Sequence, residues 1–277
     1  MIPAPFDYVA AESAAHALDL LENFGDDAKL LAGGHSLLPL LRLRSARPSL
    51  LVDLGRLEEQ YVREAGDMIA IGALTRHHDV ENAALLHDHN PLVSYAAGLI
   101  GDPQVRHRGT IGGSIVHADP AGDLPAVLVA LDGEVDILGA DGVRTVPARD
   151  LFRGLNESAV GAAELLTEVR ISKLTADHAW SYLKFRRGSP DWATVGVAAV
   201  ALRRNGSVVN PALALANMGS KPLRARAAEE AWAAGADPGA VVDEGTEPPS
   251  DVRASADFRR HLARVLVRRA VEQALAR

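Results

Sequence analysis

Cysteine is absent from the sequence. A chain without cysteine forms no disulfide bond and has no thiol nucleophile, no Cys-ligated zinc site and no iron–sulfur cluster of its own. Any redox chemistry of this chain therefore depends on a borrowed cofactor.

Long apolar runs and an excess of basic residues are also absent. No run approaches about 18 consecutive apolar residues, and the opening residues, MIPAPFDYVAAES, lack the basic and apolar regions of a signal peptide. The 29 Lys and Arg residues stand against 36 Asp and Glu residues, and this net charge of −7 argues against a general affinity for nucleic acid or anionic membranes. We expect a cytoplasmic protein with no membrane span and no nucleic-acid partner.

What is present is the composition of an ordinary globular protein. The 277 residues are 48% hydrophobic and 23% charged, with 24 Gly and 15 Pro. These values fit neither a disordered nor a fibrous chain. The length allows two compact domains or one large domain.

Hydrophobic periodicity and turn residues predict an α+β protein. Strands and helices are mixed in the first two parts of the chain, beginning with a helix over residues 13–24 that Gly25 ends. The last part has successive strands, a turn signal at Asn205-Gly206 and then helices. The predicted parts are residues 1–55, 56–175 and 176–277.

The first glycine segment, residues 32–37, follows a predicted strand and precedes a predicted helix. It reads Ala32-Gly-Gly-His-Ser-Leu37, with Ser36 in the N-cap position of the helix. Glycines let backbone N–H groups approach a phosphate that a Cβ would block. The same pair is also typical of a tight strand–helix turn, and the spacing matches neither the Rossmann nor the P-loop motif.

The second glycine segment, residues 110–114, reads Thr110-Ile-Gly-Gly-Ser114. It lies within residues 104–123, whose density of glycine and polar residues predicts a long ordered loop. Two such segments suit the two phosphoryl groups of a dinucleotide better than two coincidental turns. Downstream, Asp119 and Asp123 are placed either to bond sugar or ring donors or to cap the helix near Leu124.

Together these segments resemble the paired flavin loops of the FAD-binding medium subunits of molybdenum hydroxylases, especially those of the aerobic carbon monoxide dehydrogenase type. The resemblance runs nearly end to end. It also includes Phe6-Asp-Tyr8, Val52-Asp-Leu54, Ile71-Gly-Ala73, Asp102-Pro-Gln-Val-Arg106, Glu164-Leu-Leu166, Lys184 and an arginine-rich last helix.

This resemblance implies a PCMH-type FAD-binding domain of two subdomains, followed by a small C-terminal domain of antiparallel sheet plus helices. Asp123 matches a carboxylate that contacts the flavin nucleotide, and Lys184 matches a basic residue lining the same site. Trp192 falls where relatives place a side chain close to the isoalloxazine, a plain core tryptophan being the alternative. Ser114 departs from the Asn of many relatives. The implied FAD-binding residues are Ala32, Gly33, Gly34, His35, Ser36, Leu37, Thr110, Ile111, Gly112, Gly113, Ser114, Asp123, Lys184 and Trp192.

The function implied by the resemblance is that of an FAD-carrying electron-transfer subunit of a molybdenum-hydroxylase-type oxidoreductase. The implied partners are a small subunit with two [2Fe–2S] clusters and a large molybdopterin subunit where substrate is oxidised, in a heterotrimer that can itself dimerise. Electrons would leave to quinone, NAD or oxygen. A stand-alone FAD-dependent oxidase or monooxygenase acting on a small metabolite stays open, and so does an interaction protein that has lost FAD.

Metal and hydrolase chemistry have little support. His77-His78 and His87-Asp-His89 stand without a zinc motif, so we expect solvated histidines. The sequence has no Gly-x-Ser-x-Gly elbow, which argues against a hydrolase built on Ser36 and His35. We therefore predict no catalytic residue and no metal ligand on this chain.

Arginines are concentrated near the C-terminus. Residues 251–277 hold seven Arg and three acidic residues on a predicted helix. Such a face is either solvated or a docking surface for a partner subunit. The candidates for docking are Arg259, Arg260, Arg264, Arg268 and Arg269.

Overall fold

Three larger sheets follow one another along the chain. The computed structural model of the protein describes residues 2–188 and 190–277. Its helices and its mixture of parallel and antiparallel sheets confirm the predicted α+β class. The boundaries predicted at residues 55 and 175 stay a prediction.

The first unit is a small parallel sheet with two helices. Ser13 Oγ accepts a hydrogen bond from the His16 N–H at 3.1 Å at the start of the first helix, and Gly25 ends that helix with a φ of 54°. Because the strands are parallel, their carboxyl ends share one edge of the sheet. The elements are β1 (Asp7–Ala10), α1 (Ala14–Phe24), β2 (Ala28–Leu31), α2 (Leu37–Arg42) and β3 (Leu50–Asp53), with spatial order β1-β3-β2.

The second unit is a five-stranded antiparallel sheet with short helices. Its strands are β4 (Val62–Ala65), β5 (Met68–Gly72), β6 (Glu134–Gly139), β7 (Gly142–Pro147) and β10 (Leu165–Ser172), in spatial order β4-β5-β10-β6-β7, and a separate hairpin joins β8 (Phe152–Gly154) to β9 (Glu157–Ser158). Its helices are α3 (His77–Asn82), α4 (Ala84–His89), α5 (Pro91–Gly98), α6 (Pro103–Arg106), α7 (Ile111–His117), α8 (Asp123–Ala130) and α9 (Ala148–Leu151).

The third unit is an antiparallel sheet with two helices. Asn205 and Gly206 have φ values of 52° and 77° and connect its two longest strands, so the predicted hairpin turn is confirmed. The elements are β11 (His178–Phe185), β12 (Val195–Arg204), β13 (Ser207–Ala216), β14 (Leu223–Arg224), α10 (Arg226–Ala233) and α11 (Ala256–Leu275), with spatial order β11-β12-β13-β14.

Strand β12 is buried along most of its length because the third sheet is covered on both faces. Ala198 and Val200 belong to the core shared with the second unit. Val197 belongs to a second core, formed with Trp232 of α10 and Val267 of α11. This explains why apolar residues occupy successive positions of β12 rather than alternating ones.

The long loop predicted over residues 104–123 is wrong, because α6 and α7 occupy much of it. Asp102 Oδ1 caps α6 by accepting the Val105 N–H at 2.9 Å, and Thr110 Oγ1 caps α7 by accepting the Gly113 N–H at 3.2 Å. Inside α7, a Cβ on Gly112 would lie 2.7 Å from the carbonyl oxygen of Ala73. Glycine is needed there for close packing, and this outweighs its low helix propensity.

Ser36 occupies the predicted N-cap position of α2, but its backbone angles are helical, φ −92° and ψ −44°, and its side chain makes no capping hydrogen bond. Thr75 precedes α3, but its hydroxyl accepts the N–H of Tyr61 and donates to the carbonyl of the same residue, both at 3.0 Å. A hydroxyl engaged by a tertiary partner is not available to cap a helix.

The arginines of α11 serve mainly the fold itself. Arg259 is fully buried, and its side chain donates to the carbonyl of Pro249 at 2.9 Å and to Asp251 at 2.8 Å. Its predicted role in docking is therefore wrong. Other arginines of the helix form ion pairs: Arg260–Asp257, Arg264–Asp243 and Arg268–Asp237. Neither α11 nor any other helix of the described residues is both long enough and apolar enough to cross a membrane.

Candidate functional site

The first glycine segment presents a row of unbonded backbone donors. It begins directly after β2, and Gly34 has a φ of 80°, in the region that favours glycine. The carbonyl of Gly34 accepts the Leu38 N–H at 2.8 Å. Within the described residues, the five successive N–H groups of residues 33–37 make no hydrogen bond. Consecutive open N–H groups of this kind form a concave site for an anion.

Gly33 joins this segment to the second unit. A Cβ at this position would overlap the carbonyl oxygen of Arg108 and would lie 2.7 Å from Cα of Gly109. The glycine is therefore required by backbone packing between the two units, and not only by the approach of a ligand. This contact places the first glycine segment directly beside the residues that lead into the second.

The backbone N–H groups of the second glycine segment are already hydrogen-bonded within the protein. Ile111 and Gly112 donate to the carbonyls of Thr75 and Ala73 at 3.0 and 2.8 Å. Gly113 and Ser114 donate to the hydroxyl and the carbonyl of Thr110 at 3.2 and 3.0 Å. A Cβ on Gly113 would meet only Thr110 Oγ1, at 2.8 Å, and otherwise open space. This segment therefore offers open space beside Gly113 and not a row of free donors.

His77 contacts Gly109, the residue just before the second segment. Its backbone N–H donates to the carbonyl of Gly109 at 2.9 Å, and a Cβ on Gly109 would lie 2.8 Å from its ring. The side chain is buried, its Nδ1 has no partner among the described residues, and burial lowers its pKa to about 4. The prediction that His77 is solvated is therefore wrong. No group of three or more His, Asp or Glu side chains in the described part of the chain is arranged to hold a metal ion.

Asp123 and Lys184, both singled out from the sequence, form a buried ion pair. Lys184 Nζ lies 2.8 Å from Asp123 Oδ2, and the Tyr182 hydroxyl donates to Asp123 Oδ1 at 2.6 Å. Burial raises the pKa of Asp123, and the charge of Lys184 opposes that shift. Asp123 is the first residue of α8, whose N-cap is Gly122, so the Asp123 carboxylate does not cap the helix.

Tyr182 was not predicted from the sequence as a site residue. It lies in β11 two residues before Lys184, and both side chains reach the same carboxylate. Alternate residues of a strand point to the same face. This spacing was the only local signal available, and it becomes informative only once the partner Asp123 is known.

Trp192 lies in the connection between β11 and β12, and 41% of its surface is exposed. The alternative of a plain core tryptophan is therefore wrong. The next residue, Ala193, is buried against Ala126 of α8. Trp192 is thus held near the helix that begins with Asp123.

Asp119 is engaged locally. Its carboxylate accepts the N–H of Ala121 at 2.8 Å, and its carbonyl accepts the N–H of Gly122 at 2.9 Å. It stabilises the turn before α8 rather than capping the helix directly. The open N–H groups of residues 33–37 remain the feature of the site that is suited to binding an anionic ligand.

Two family profiles together cover nearly the whole chain. Residues 4–173 match the family described as FAD binding domain in molybdopterin dehydrogenase. Residues 180–274 match the family described as CO dehydrogenase flavoprotein C-terminal domain.

Individual relatives match over their full length. The chain is 38% identical to the carbon monoxide dehydrogenase medium chain of Hydrogenophaga pseudoflava, covering 100% of this chain and 99% of the relative. It is 36% identical to the glyceraldehyde dehydrogenase medium chain of Sulfolobus acidocaldarius, covering 99% of each.

Solved structures give the same result. A carbon monoxide dehydrogenase structure from Hydrogenophaga pseudoflava aligns with a TM-score of 0.97 and 40% identity, covering 100% of this chain and 99% of the other. Quinoline 2-oxidoreductase from Pseudomonas putida 86 aligns with a TM-score of 0.94 and 29% identity, with the same coverage.

Proposed function

The chain belongs to the FAD-binding medium subunits of molybdenum-hydroxylase-type dehydrogenases, and from this premise we propose that it carries electrons from the [2Fe–2S] clusters of a small partner subunit to an external acceptor. FAD is the cofactor that the family match indicates. The partner subunits and the path of the electrons are the parts that we propose.

The row of open N–H groups at residues 33–37 carries this proposal. The pyrophosphate of FAD bears two negative charges and many acceptor oxygens, which need a matching set of fixed donors. The positive φ of Gly34 gives this segment its shape, and the open space beside Gly113 leaves room for a ligand against the second segment. The residues present therefore fit the cofactor.

Within this fit, residues 32–37 bind the pyrophosphate through backbone donors, and residues 110–114 form the facing surface. We assign the flavin end to Asp123, Lys184 and Trp192. Helix α8, which begins with Asp123, packs against α7, the helix that contains residues 111–114. Lys184 of the third unit pairs with Asp123, and Ala193, next to Trp192, is buried against α8, so the three side chains lie near this helix. When bound, FAD supplies one-electron and two-electron redox chemistry, and the chain supplies binding and orientation.

Partner subunits follow from what the chain lacks and from the names of its relatives. With no cysteine, the chain cannot hold the iron–sulfur clusters that would deliver electrons. The matching proteins are named as medium chains or as subunits of complexes, for carbon monoxide, glyceraldehyde and 6-hydroxypseudooxynicotine. Because related medium chains serve such different substrates, we place substrate oxidation on a large molybdopterin subunit. A cytoplasmic location stays a prediction.

The test measures FAD binding and electron transfer separately. The purified chain should bind one FAD without a covalent bond, so acid precipitation should release all of the flavin. An anaerobic mixture of the FAD-loaded chain with its reduced small subunit should then lose flavin absorbance, whereas a reduced iron–sulfur protein from another pathway should act more slowly.

Two results would overturn the proposal. The first is an absence of FAD binding even with excess cofactor. The second is oxidation of a small metabolite by the isolated FAD-loaded chain at about 10 per second, a typical enzyme turnover, with no partner subunit co-purifying. That result would assign the chain to the stand-alone flavoenzymes.

A further inference from the structure

A buried tyrosine, Tyr182, completes a network of three side chains where the second and third units meet. Its hydroxyl donates to Asp123 Oδ1 at 2.6 Å, and Lys184 Nζ lies 2.8 Å from Asp123 Oδ2. Lys184 also donates to the carbonyl of Leu99 at 3.3 Å. Both oxygens of the Asp123 carboxylate are therefore held, one by a neutral donor and the other by a charged donor, and this fixes the orientation of the carboxylate.

Stability alone does not account for this network. The side chains of Asp123 and Lys184 are each 3% exposed, and Tyr182 is fully buried. Removing two opposite charges from water can cost as much free energy as their attraction returns, and apolar residues of similar volume often give an equally stable core. The burial of this ion pair is thus weak evidence for a stabilising role, and its place at the proposed flavin end points to another role.

The ion pair keeps unused hydrogen-bonding capacity. An ionised carboxylate has about four acceptor positions, and a lysine has three N–H donors. Within the described residues, Asp123 accepts two hydrogen bonds and Lys184 donates two. The pair can therefore still bind a ligand. Tyr182 is fully buried and donates its proton to Asp123, so it can act on a ligand only through that carboxylate.

Gly196 makes room for the hydroxyl of Tyr182. It lies on β12 opposite Lys184, and a Cβ there would lie 2.7 Å from the hydroxyl oxygen. That distance is too short for a real Cβ, so a larger residue at this position would displace the hydroxyl from Asp123. Glycine at position 196 therefore permits the hydrogen bond between Tyr182 and Asp123.

We propose that Tyr182 is a positioning residue for the cofactor, which holds the carboxylate of Asp123 in place beside Lys184 for contact with the flavin end of FAD. Burial raises the pKa of Asp123, and the charge of Lys184 and the hydrogen bond from Tyr182 oppose that rise. Hydrogen bonds and charges beside a flavin tune its electronic properties. The inference rests on the proposed function, because that proposal assigns Asp123 and Lys184 to the flavin end.

The experiment compares Tyr182→Phe with the matched control Tyr61→Phe. The Tyr61 hydroxyl donates at 2.8 Å to the buried carboxylate of Glu168, which pairs with Arg63 at 2.6 Å, and none of these three residues is assigned to the FAD site. Each variant thus removes one hydroxyl from a network of a tyrosine, a carboxylate and a cation. Tyr182→Phe should weaken FAD binding by about tenfold and shift the visible absorption bands of the bound flavin, whereas Tyr61→Phe should do neither.

Asp123→Asn tests whether Tyr182 acts through Asp123. Because Asp123 makes the proposed contact with the cofactor, Asp123→Asn should weaken FAD binding at least as much as Tyr182→Phe. A smaller loss of affinity in Asp123→Asn would overturn the proposal, since Tyr182 would then act by another route.

Gly196→Ala tests the placement of the hydroxyl without removing it. The new Cβ should displace the hydroxyl and weaken FAD binding about as much as Tyr182→Phe does. When combined with Tyr182→Phe, the same alanine should weaken binding further by less than about twofold, because the displaced hydroxyl is absent. Wild-type affinity in Gly196→Ala, or an equal loss in both backgrounds, would show that the placement of the hydroxyl does not matter, and the proposal would be wrong.

Two further outcomes separate this inference from the proposed function. If Tyr182→Phe loses stability in urea but keeps its FAD affinity and its flavin absorption, Tyr182 serves folding alone, and the inference fails while the proposed function stands. If the wild type binds no FAD, the proposed function fails and this inference fails with it. Circular dichroism shows that each variant compared is folded.

Discussion

The two glycine segments share a Gly-Gly pair but use their backbones in opposite ways. In the first segment, the N–H groups of residues 33–37 are unbonded within the described chain, whereas in the second segment the N–H groups of residues 111–114 all have partners. The first segment therefore offers free hydrogen-bond donors to a ligand. The second segment is the hydrogen-bonded start of α7 and can border a ligand without donating to it.

The glycines themselves differ in the same way. Gly34 is needed for its positive φ, while Gly33 and Gly112 are needed because backbone or side-chain atoms of the protein approach too closely for a Cβ. Gly113 alone of these four has a nearly open side, limited only by the hydroxyl of Thr110. A repeated sequence motif can thus satisfy several unrelated physical requirements at once.

The largest effect is expected from Gly33→Val. The new side chain would overlap the carbonyl of Arg108, and such overpacking should lower the free energy of unfolding by about 3 kcal/mol. Separation of the two segments should also abolish FAD binding. Urea unfolding followed by circular dichroism, together with flavin fluorescence, measures both effects.

Gly154→Val is the control for Gly33→Val, since a Cβ there would meet only the flexible side chain of Glu157. Valine is also well suited to a strand, and the variant should keep its stability and its FAD. Wild-type stability in Gly33→Val would show that the close approach of the two segments is not required.

Gly113→Ala tests whether the second segment borders the cofactor, because it adds a methyl group on the open side of Gly113. We expect FAD affinity to fall by about tenfold, equivalent to about 1.4 kcal/mol. Stability should change little, because the higher helix propensity of alanine offsets the small shift required of Thr110. Fluorescence titration with FAD measures the affinity, and unchanged affinity would remove the second segment from the proposed site.

The burial of His77, which contacts Gly109 just before the second segment, predicts a pH dependence of stability. Its pKa is about 4 in the folded chain and near 6.5 when unfolded. The unfolded state therefore binds more protons in this interval, and stability is lost as pH falls below about 6.5. Lowering the pH from about 7.5 to about 5.5 should therefore reduce the contribution of His77 to the free energy of unfolding by about 1 kcal/mol.

Urea unfolding at both pH values tests this expectation. His77→Gln cannot titrate, so its stability should change less with pH than that of the wild type, whatever its absolute stability. The control His261→Gln alters an exposed histidine of α11 and should leave the pH dependence unchanged. An identical pH dependence in wild type and His77→Gln would contradict the assignment.

Local patterns predicted local structure well. The helix from Ser13 to Gly25 and the hairpin at Asn205-Gly206 depend on neighbouring residues, and both are confirmed. Failures occurred where distant residues decide the outcome. Gly33 contacts Arg108, and the buried Arg259 donates a hydrogen bond to the distant carbonyl of Thr194 while the Asp251 carboxylate balances its charge. The periodicity of hydrophobic residues along the sequence does not reveal such distant contacts.

The smallest effects compare the two hydroxyl residues of the glycine segments. Thr110 caps α7 by accepting the Gly113 N–H, so Thr110→Ala should cost about 1 kcal/mol. Ser36 makes no cap, so Ser36→Ala should change the free energy of unfolding by less than about 0.5 kcal/mol. Thr110→Ser should restore most of the loss at 110, because its hydroxyl can still accept. Denaturant unfolding of the cofactor-free chain measures all three variants without interference from FAD. If Ser36→Ala proved as costly as Thr110→Ala, the hydroxyl of Ser36 would have a structural partner, and the difference between the two hydroxyls would be refuted.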